Sequence, residues 1–261
     1  MVATGSDGTG IEWIEKVAEY GYDYVELPMA QMMGLDDEQF AALKERVAKT
    51  GLACETSNNL FPVTMRLTGP EVDYDAIIAY AKKAFARAKE LGIEFCVFGS
   101  GPAKSVPEGF PKEKGLDQVE ALLHKIAPIA AENGVTIVME PLRHQEDNLI
   151  NTFADGVEMA KRANEPNVKV LVDFYHMAVE NEPVQHLIDD GAQWLRHVHF
   201  ANPEGRVYPV SVDEADYKPF IAALRKAGYD ARISCEAYVP NGFETDAPIA
   251  RKFFDELLAQ A

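Results

Sequence analysis

Four short apolar runs end in groups that can bind a cation or move a proton. "VTIVME" ends in Glu140, and "VLVD" ends in Asp173 with His176 three residues beyond. "HVHF" carries His197 and His199, and "ISCE" ends in Glu236. One strand end carries a carboxylate by chance; four in succession form a pattern. Carboxylates crowded at low dielectric repel one another and take up protons. A divalent cation removes that conflict. Glu140, Asp173, His199 and Glu236 offer three oxygen donors and one nitrogen, a set suited to Mn²⁺, Mg²⁺ or Co²⁺ and unsuited to a thiolate-type site.

Spacing separates the histidines. His197 and His199 are two apart, so they share one face of a strand. His199 is nearer the carboxyl end and is the better ligand; His197, deeper, touches the ligands from behind or packs. An offset of three would turn His176 away from Asp173 on a continuing strand. The chain must therefore turn near Phe174-Tyr175, leaving His176 to lean over the rim toward a substrate. Glu26 in "YVELP" and Glu55 in "CETSN" could line a pocket or orient ligands. Glu146 and Asn151 are candidate rim groups in the loop after Glu140. Arg206, a lone cation on an acidic rim, suits a hydroxyl-rich or anionic substrate. His124 and His186 read as surface or helix-packing residues, and His144 stays open.

These groups need elements to position them. Strand-like runs fall at 24–28, 52–57, 94–100, 135–141, 168–174, 195–201 and 232–238. Amphipathic runs fall near 9–20, 37–49, 73–91, 115–133, 153–163, 183–190, 214–227 and 244–259. Gly21, Gly92, Gly134 and Gly228 follow helical runs, and Asp37 and Asp73 sit where a helix N-cap would help. Apolar strands alternating with helices imply a parallel sheet covered by helices. The expected fold is a (β/α)8 TIM barrel forming one domain over residues 1–261, with chemistry at the carboxyl ends of its strands. Its first strand is missing or cut to Val2-Ala3-Thr4, because a helix candidate follows "MVATGSDGTG" almost at once. An open doubly wound sheet is the weaker alternative, since "GSDGTG" has no strand before it.

The chain has 261 residues and a formal charge of -17. Such a field repels a phosphate backbone, which argues against nucleic acid. No apolar run approaches the roughly 20 residues that span a bilayer, and no signal peptide is legible. Cys54, Cys96 and Cys235 lie in apolar runs, as reduced core thiols do. A cytoplasmic location is the expectation.

"VMEPL", "VKVLVDFYHM", "HVHFANPEGR" and "ISCEAY", in this order, resemble the sugar phosphate isomerase/epimerase group of xylose isomerase-like barrels, and within it ketose 3-epimerases of the D-tagatose/D-allulose type. The resemblance implies a divalent ion, manganese first, with magnesium, cobalt or zinc as alternatives, held by Glu140, Asp173, His199 and Glu236. It implies that Glu140 and Glu236 are also the acid/base pair of a C3 epimerisation through a metal-stabilised cis-enediolate. It gives Glu146, His176 and Arg206 to the sugar substrate, and it implies a dimer or tetramer. Aromatic residues that such enzymes place near their first strand are lacking here, and Phe61 or Met65 would cap the pocket instead. Two other readings stay open: a keto-inositol or related dehydratase on the same ligands, and a sugar-binding barrel without turnover.

Overall fold

The computed structural model of the protein describes residues 10–260. Val2-Ala3-Thr4, where a first strand was expected, lies outside the described residues. Seven strands follow: β1 (Tyr24–Pro28), β2 (Ala53–Asn58), β3 (Phe95–Phe98), β4 (Thr136–Met139), β5 (Val168–Asp173), β6 (Leu195–Phe200) and β7 (Ile233–Cys235). They pair in parallel and in chain order. The result is a nearly closed α/β barrel. Among the described residues β1 and β7 form its two edges.

The helices are α1 (Ile14–Glu19), α2 (Met29–Met33), α3 (Asp37–Thr50), α4 (Tyr74–Leu91), α5 (Gly101–Lys104), α6 (Lys112–Glu132), α7 (Phe153–Ala163), α8 (Phe174–Val179), α9 (Gln185–Trp194), α10 (Lys218–Lys226) and α11 (Phe243–Gln260). None is long and apolar enough to cross a membrane. Local chemistry sets their ends. Asp36, rather than Asp37, caps α3: its carboxylate accepts from the Gln39 N–H, and the Gln39 side chain accepts from the Asp36 N–H in return. Asp73 caps α4, which ends where Gly92 takes φ 81°. The short helices α2, α5 and α8 follow strands directly and escape a reading based on apolar periodicity, because each is under two turns long.

Strand alternation sorts the side chains into two populations. Ile137, Met139, Val170, Val172, Val198 and Phe200 join the main core between sheet and helices. Val97, Val138 and Leu171, in the alternate positions, form a separate small cluster inside the barrel. Continuing that inner register one step toward the carboxyl ends reaches Gly99, Glu140 and Asp173; on β6 and β7 the same register holds His197, His199, Ser234 and Glu236. Behind β5 and β6, Phe174, Phe200, Tyr217, Phe220, Phe253 and Phe254 pack ring on ring at 4.9–6.1 Å. This cluster braces the strands that carry Asp173 and His199.

Side chains join the two edges. The Tyr24 hydroxyl meets Ser234 Oγ at 2.6 Å, and Asn58 Nδ2 donates to Glu236 Oε1 at 2.7 Å. Outside this network, Arg232 pairs with Glu55 at the amino end of the same seam. Glu55 is in the middle of β2 and, paired with Arg232, lines the cleft between Tyr24 and Leu258 rather than the carboxylate cluster.

Candidate metal centre

Four strand ends deliver Glu140, Asp173, His199 and Glu236 to one place: each offers a ligand atom, all within 4.8 Å of one another. His199 Nδ1 lies 2.9 Å from Glu140 Oε1 and 3.0 Å from Glu236 Oε2. Asp173 Oδ1 accepts the Tyr175 N–H at 2.9 Å and so starts α8, which supplies the turn expected after "VLVD". Its other oxygen, Oδ2, is buried without a hydrogen-bond partner. A buried carboxylate oxygen with no hydrogen-bond donor calls for compensating charge, which Arg206 at 3.6 Å supplies in part. Together with the oxygen-rich donor set, that orphan atom fits a divalent cation.

The electrostatics agree. Burial pushes Asp173 up to about 7, with Arg206 pulling the other way. Burial also raises Glu140, with Glu236 adding to the rise and His199 opposing it. Glu236 is buried as well, but His199 and Arg206 outweigh that burial and hold it low. Burial alone would lower His199, yet Glu26, Glu236 and Glu140 raise it well above the ordinary imidazole value. A cation binding here displaces protons.

His176 sits on α8 and is 1% exposed. Its Nδ1 accepts the Arg143 N–H at 3.3 Å, so the ring proton belongs on Nε2. Burial drives its pKa well down, with Arg206 adding to that, and keeps the ring neutral. Nε2 lies 3.6 Å from Asp173 Oδ2, a gap too wide for a hydrogen bond, and is itself unpartnered. It is a donor held ready beside the carboxylate cluster.

Arg206 is no solvated loop cation. It reaches Glu236 Oε2 at 3.0 Å, Glu146 Oε2 at 3.3 Å and Asp173 Oδ2 at 3.6 Å. Glu146 also holds Arg143 at 2.6 Å, and both guanidiniums stack over the Tyr175 ring. A pocket of about 470 Å³ opens above, lined among others by Asn59, Phe61, Ser100, Glu146, Arg206 and Glu236. Phe61 lines it; Met65 packs against the core instead. A larger cleft of about 790 Å³ lies at the amino end of the seam, between Tyr24, Arg232 and Leu258, away from the carboxylate cluster.

Other candidates fall elsewhere. Asn151 donates to the Leu142 and Asp147 carbonyls and pins a loop rather than facing a ligand. His124, His144 and His186 pair with Glu165, Glu180 and Glu182, all outside the cluster. Sequence reasoning missed Asn58, Arg143, Tyr175 and Gly99. Only Gly99 left a trace, as the lone strand-end glycine after "FCVF". A Cβ there would overlap Glu140 Oε2.

The model of the xylose isomerase-like TIM barrel family matches residues 14–257. A ketose 3-epimerase of Arthrobacter globiformis is 28% identical over 245 residues, covering 91% of this chain and 81% of that protein. A 3-dehydro-D-guloside 4-epimerase of Escherichia coli (strain K12) is 25% identical over 235 residues, covering 88% and 87%. The solved structure of a D-psicose 3-epimerase in the presence of D-fructose superposes with a TM-score of 0.80 at 21% identity, over 97% of this chain and 93% of that one, a likeness of fold. The match over nearly the whole chain places this protein in the xylose isomerase-like TIM barrel family.

Proposed function

We propose that the protein is an isomerase: a divalent-metal-dependent sugar epimerase that inverts C3 of a ketose. One observation carries the reading. Four donors from four strands converge beside an Asp173 Oδ2 and a His176 Nε2–H that have no hydrogen-bond partner, and one of the four, Glu236, lines a pocket of about 470 Å³. The curated relatives act on sugars as epimerases, which supports catalysis over binding without turnover and disfavours dehydration.

Glu140, Asp173, His199 and Glu236 would hold the ion, with Mn²⁺ the first choice. A bound ion would polarise the ketone and so make the adjacent C–H more acidic. Glu140 and Glu236 come from strands on either side of β6 in the sheet order and meet different surroundings. Glu236 is aimed by hydrogen bonds from Asn58 and Arg206, and His199 and Arg206 hold it ionised. Glu140 sits in the space left by Gly99. Removal of a proton on one face and return on the other require two such groups, and these carboxylates are the pair. His176 would donate to a substrate oxygen. Arg206 and Glu146 would hold hydroxyls at the pocket rim.

The cation that lines the pocket, Arg206, is already engaged with three carboxylates, and Arg143 behind it with Glu146. This favours an uncharged ketose over a phosphorylated one. The test is proton NMR in deuterated water with the Mg²⁺-loaded protein and a panel of free and phosphorylated ketoses. Loss of the C3 proton signal from a free ketose is the expected result, and Glu236→Gln should abolish it while retaining ligand binding. If every ketose keeps its C3 proton under conditions where it binds, epimerisation is wrong.

A further inference from the structure

Glu26 lies on β1, inside the barrel and one layer below the candidate ligands, at 1% exposure. Four donors converge on it. His199 Nε2 reaches Oε1 at 2.8 Å; His197 Nε2, the Thr56 hydroxyl and the Ser234 hydroxyl reach Oε2 at 2.8, 2.8 and 2.6 Å. An ionised carboxylate only accepts, so every one of these partners must donate. Ser234 uses its single proton on Glu26, and the Tyr24 hydroxyl must therefore donate to Ser234. His197 donates through Nε2 and leaves its Nδ1 without a partner.

The consequence reaches the cluster above. With Nε2–H committed to Glu26, the nitrogen His199 has left for a cation is Nδ1. That atom is the one facing Glu140 and Glu236. The arrangement also fixes the ring plane, because β1 and β6 hold the two ends of one short charge-assisted bond. Glu26, His197 and His199 gather ligand atoms within 4.8 Å of one another as well. They do not read as a second ion site, since both oxygens of Glu26 are already taken up by short bonds from donors.

We propose that Glu26 is a positioning residue for the metal centre: it sets the tautomer and orientation of His199, with His197, Thr56, Ser234 and Tyr24 holding Glu26 in turn. This rests on the metal-dependent reading above. A carboxylate behind a ligating imidazole makes it a stronger ligand, and its loss typically weakens metal affinity about 10–100-fold.

The experiment is Mn²⁺ titration of the metal-free full chain, followed by the EPR signal of the free ion, for wild type and Glu26→Gln. The expected result is an affinity about 10–100-fold weaker in the variant. ¹H–¹⁵N spectra of the Mg²⁺-loaded proteins should show the His199 Nε2–H proton at low field and protected from exchange in wild type, where it donates to Glu26, and moved upfield or exchanging with water in E26Q. Affinity within twofold of wild type and an unchanged Nε2–H signal overturn the proposal. A wild type that binds no Mn²⁺ sinks the metal-dependent reading itself, which separates the two failures. Should E26Q not fold, Thr56→Val and Ser234→Ala each remove one donor to Glu26 without touching His199. A loss of about two- to tenfold in either supports the proposal, and wild-type affinity in both overturns it.

Discussion

Gly99 controls where Glu140 can point. It is the inner-register residue one step beyond Val97, level with Glu140 on the neighbouring strand, and a side chain there would occupy the space of Glu140 Oε2. Gly99→Ala should push Glu140 off its position, lowering kcat by at least about tenfold and stability by about 1–3 kcal/mol. Turnover and urea unfolding check this; an active, equally stable G99A would show that Glu140 relaxes freely. The residue types of the cluster were legible because apolar runs ending in carboxylates contradict their burial. Gly99 left only the mark of a glycine at a strand end, since the need for empty space adds no chemical group. Asn58 escaped for a related reason: it acts through Glu236, distant in sequence.

Loops between elements are held by a buried ion pair. Lys104, at the end of α5, is fully buried and reaches Asp147 Oδ2 at 3.0 Å and the Glu140 carbonyl at 3.4 Å. Asp147 in turn accepts the Leu149 and Ile150 N–H groups and the Ser105 hydroxyl. This clasp ties the segment after β3 to the loop after β4, which carries Glu146. Lys104→Met would strand a buried carboxylate and should cost about 3–5 kcal/mol, read from urea denaturation; a loss below about 1 kcal/mol would mean Asp147 finds other donors. Most strands and long helices were legible to within a few residues, because period-2 and period-3.6 patterns are strong over their lengths. The helices α2, α5 and α8 were not, since turns this short are set by what the preceding strand end must reach.

For the whole molecule, cation binding and folding should be linked. A cation bound only by the folded chain adds about 2.7 kcal/mol at a concentration 100 times its Kd, about 5–10 °C in Tm for a chain of this size. The pH dependence has a definite sign. Asp173 has its folded pKa raised from 3.8 to about 7, so the folded metal-free chain keeps a proton that the unfolded chain has lost. In the metal-free protein that burial becomes more destabilising as pH rises through this window. A cation must displace the same proton, so its affinity strengthens over the same window. The Tm gain on adding Mn²⁺ should therefore be larger at pH 8 than at pH 5.5, by differential scanning calorimetry. An equal gain at both pH values would place the ion away from Asp173.

Composition and strand-end chemistry were enough to read a helix-wrapped parallel barrel and a carboxylate-rich rim, because burial periodicity and charge are written along the chain. The turn after Asp173 was also legible, since an offset of three would have reversed the direction of His176 on a continuing strand. Three-dimensional packing settled what lies between distant residues: Glu26 behind His199 across 173 positions, Asn58 holding Glu236 across 178, and Arg206 drawn inward by three carboxylates. It also showed what joins β1 to β7, which share no strand ladder among the described residues: side-chain bonds of Tyr24 and Glu26 with Ser234. Such pairings depend on barrel closure bringing particular strand registers face to face, and no local pattern in the sequence encodes that register.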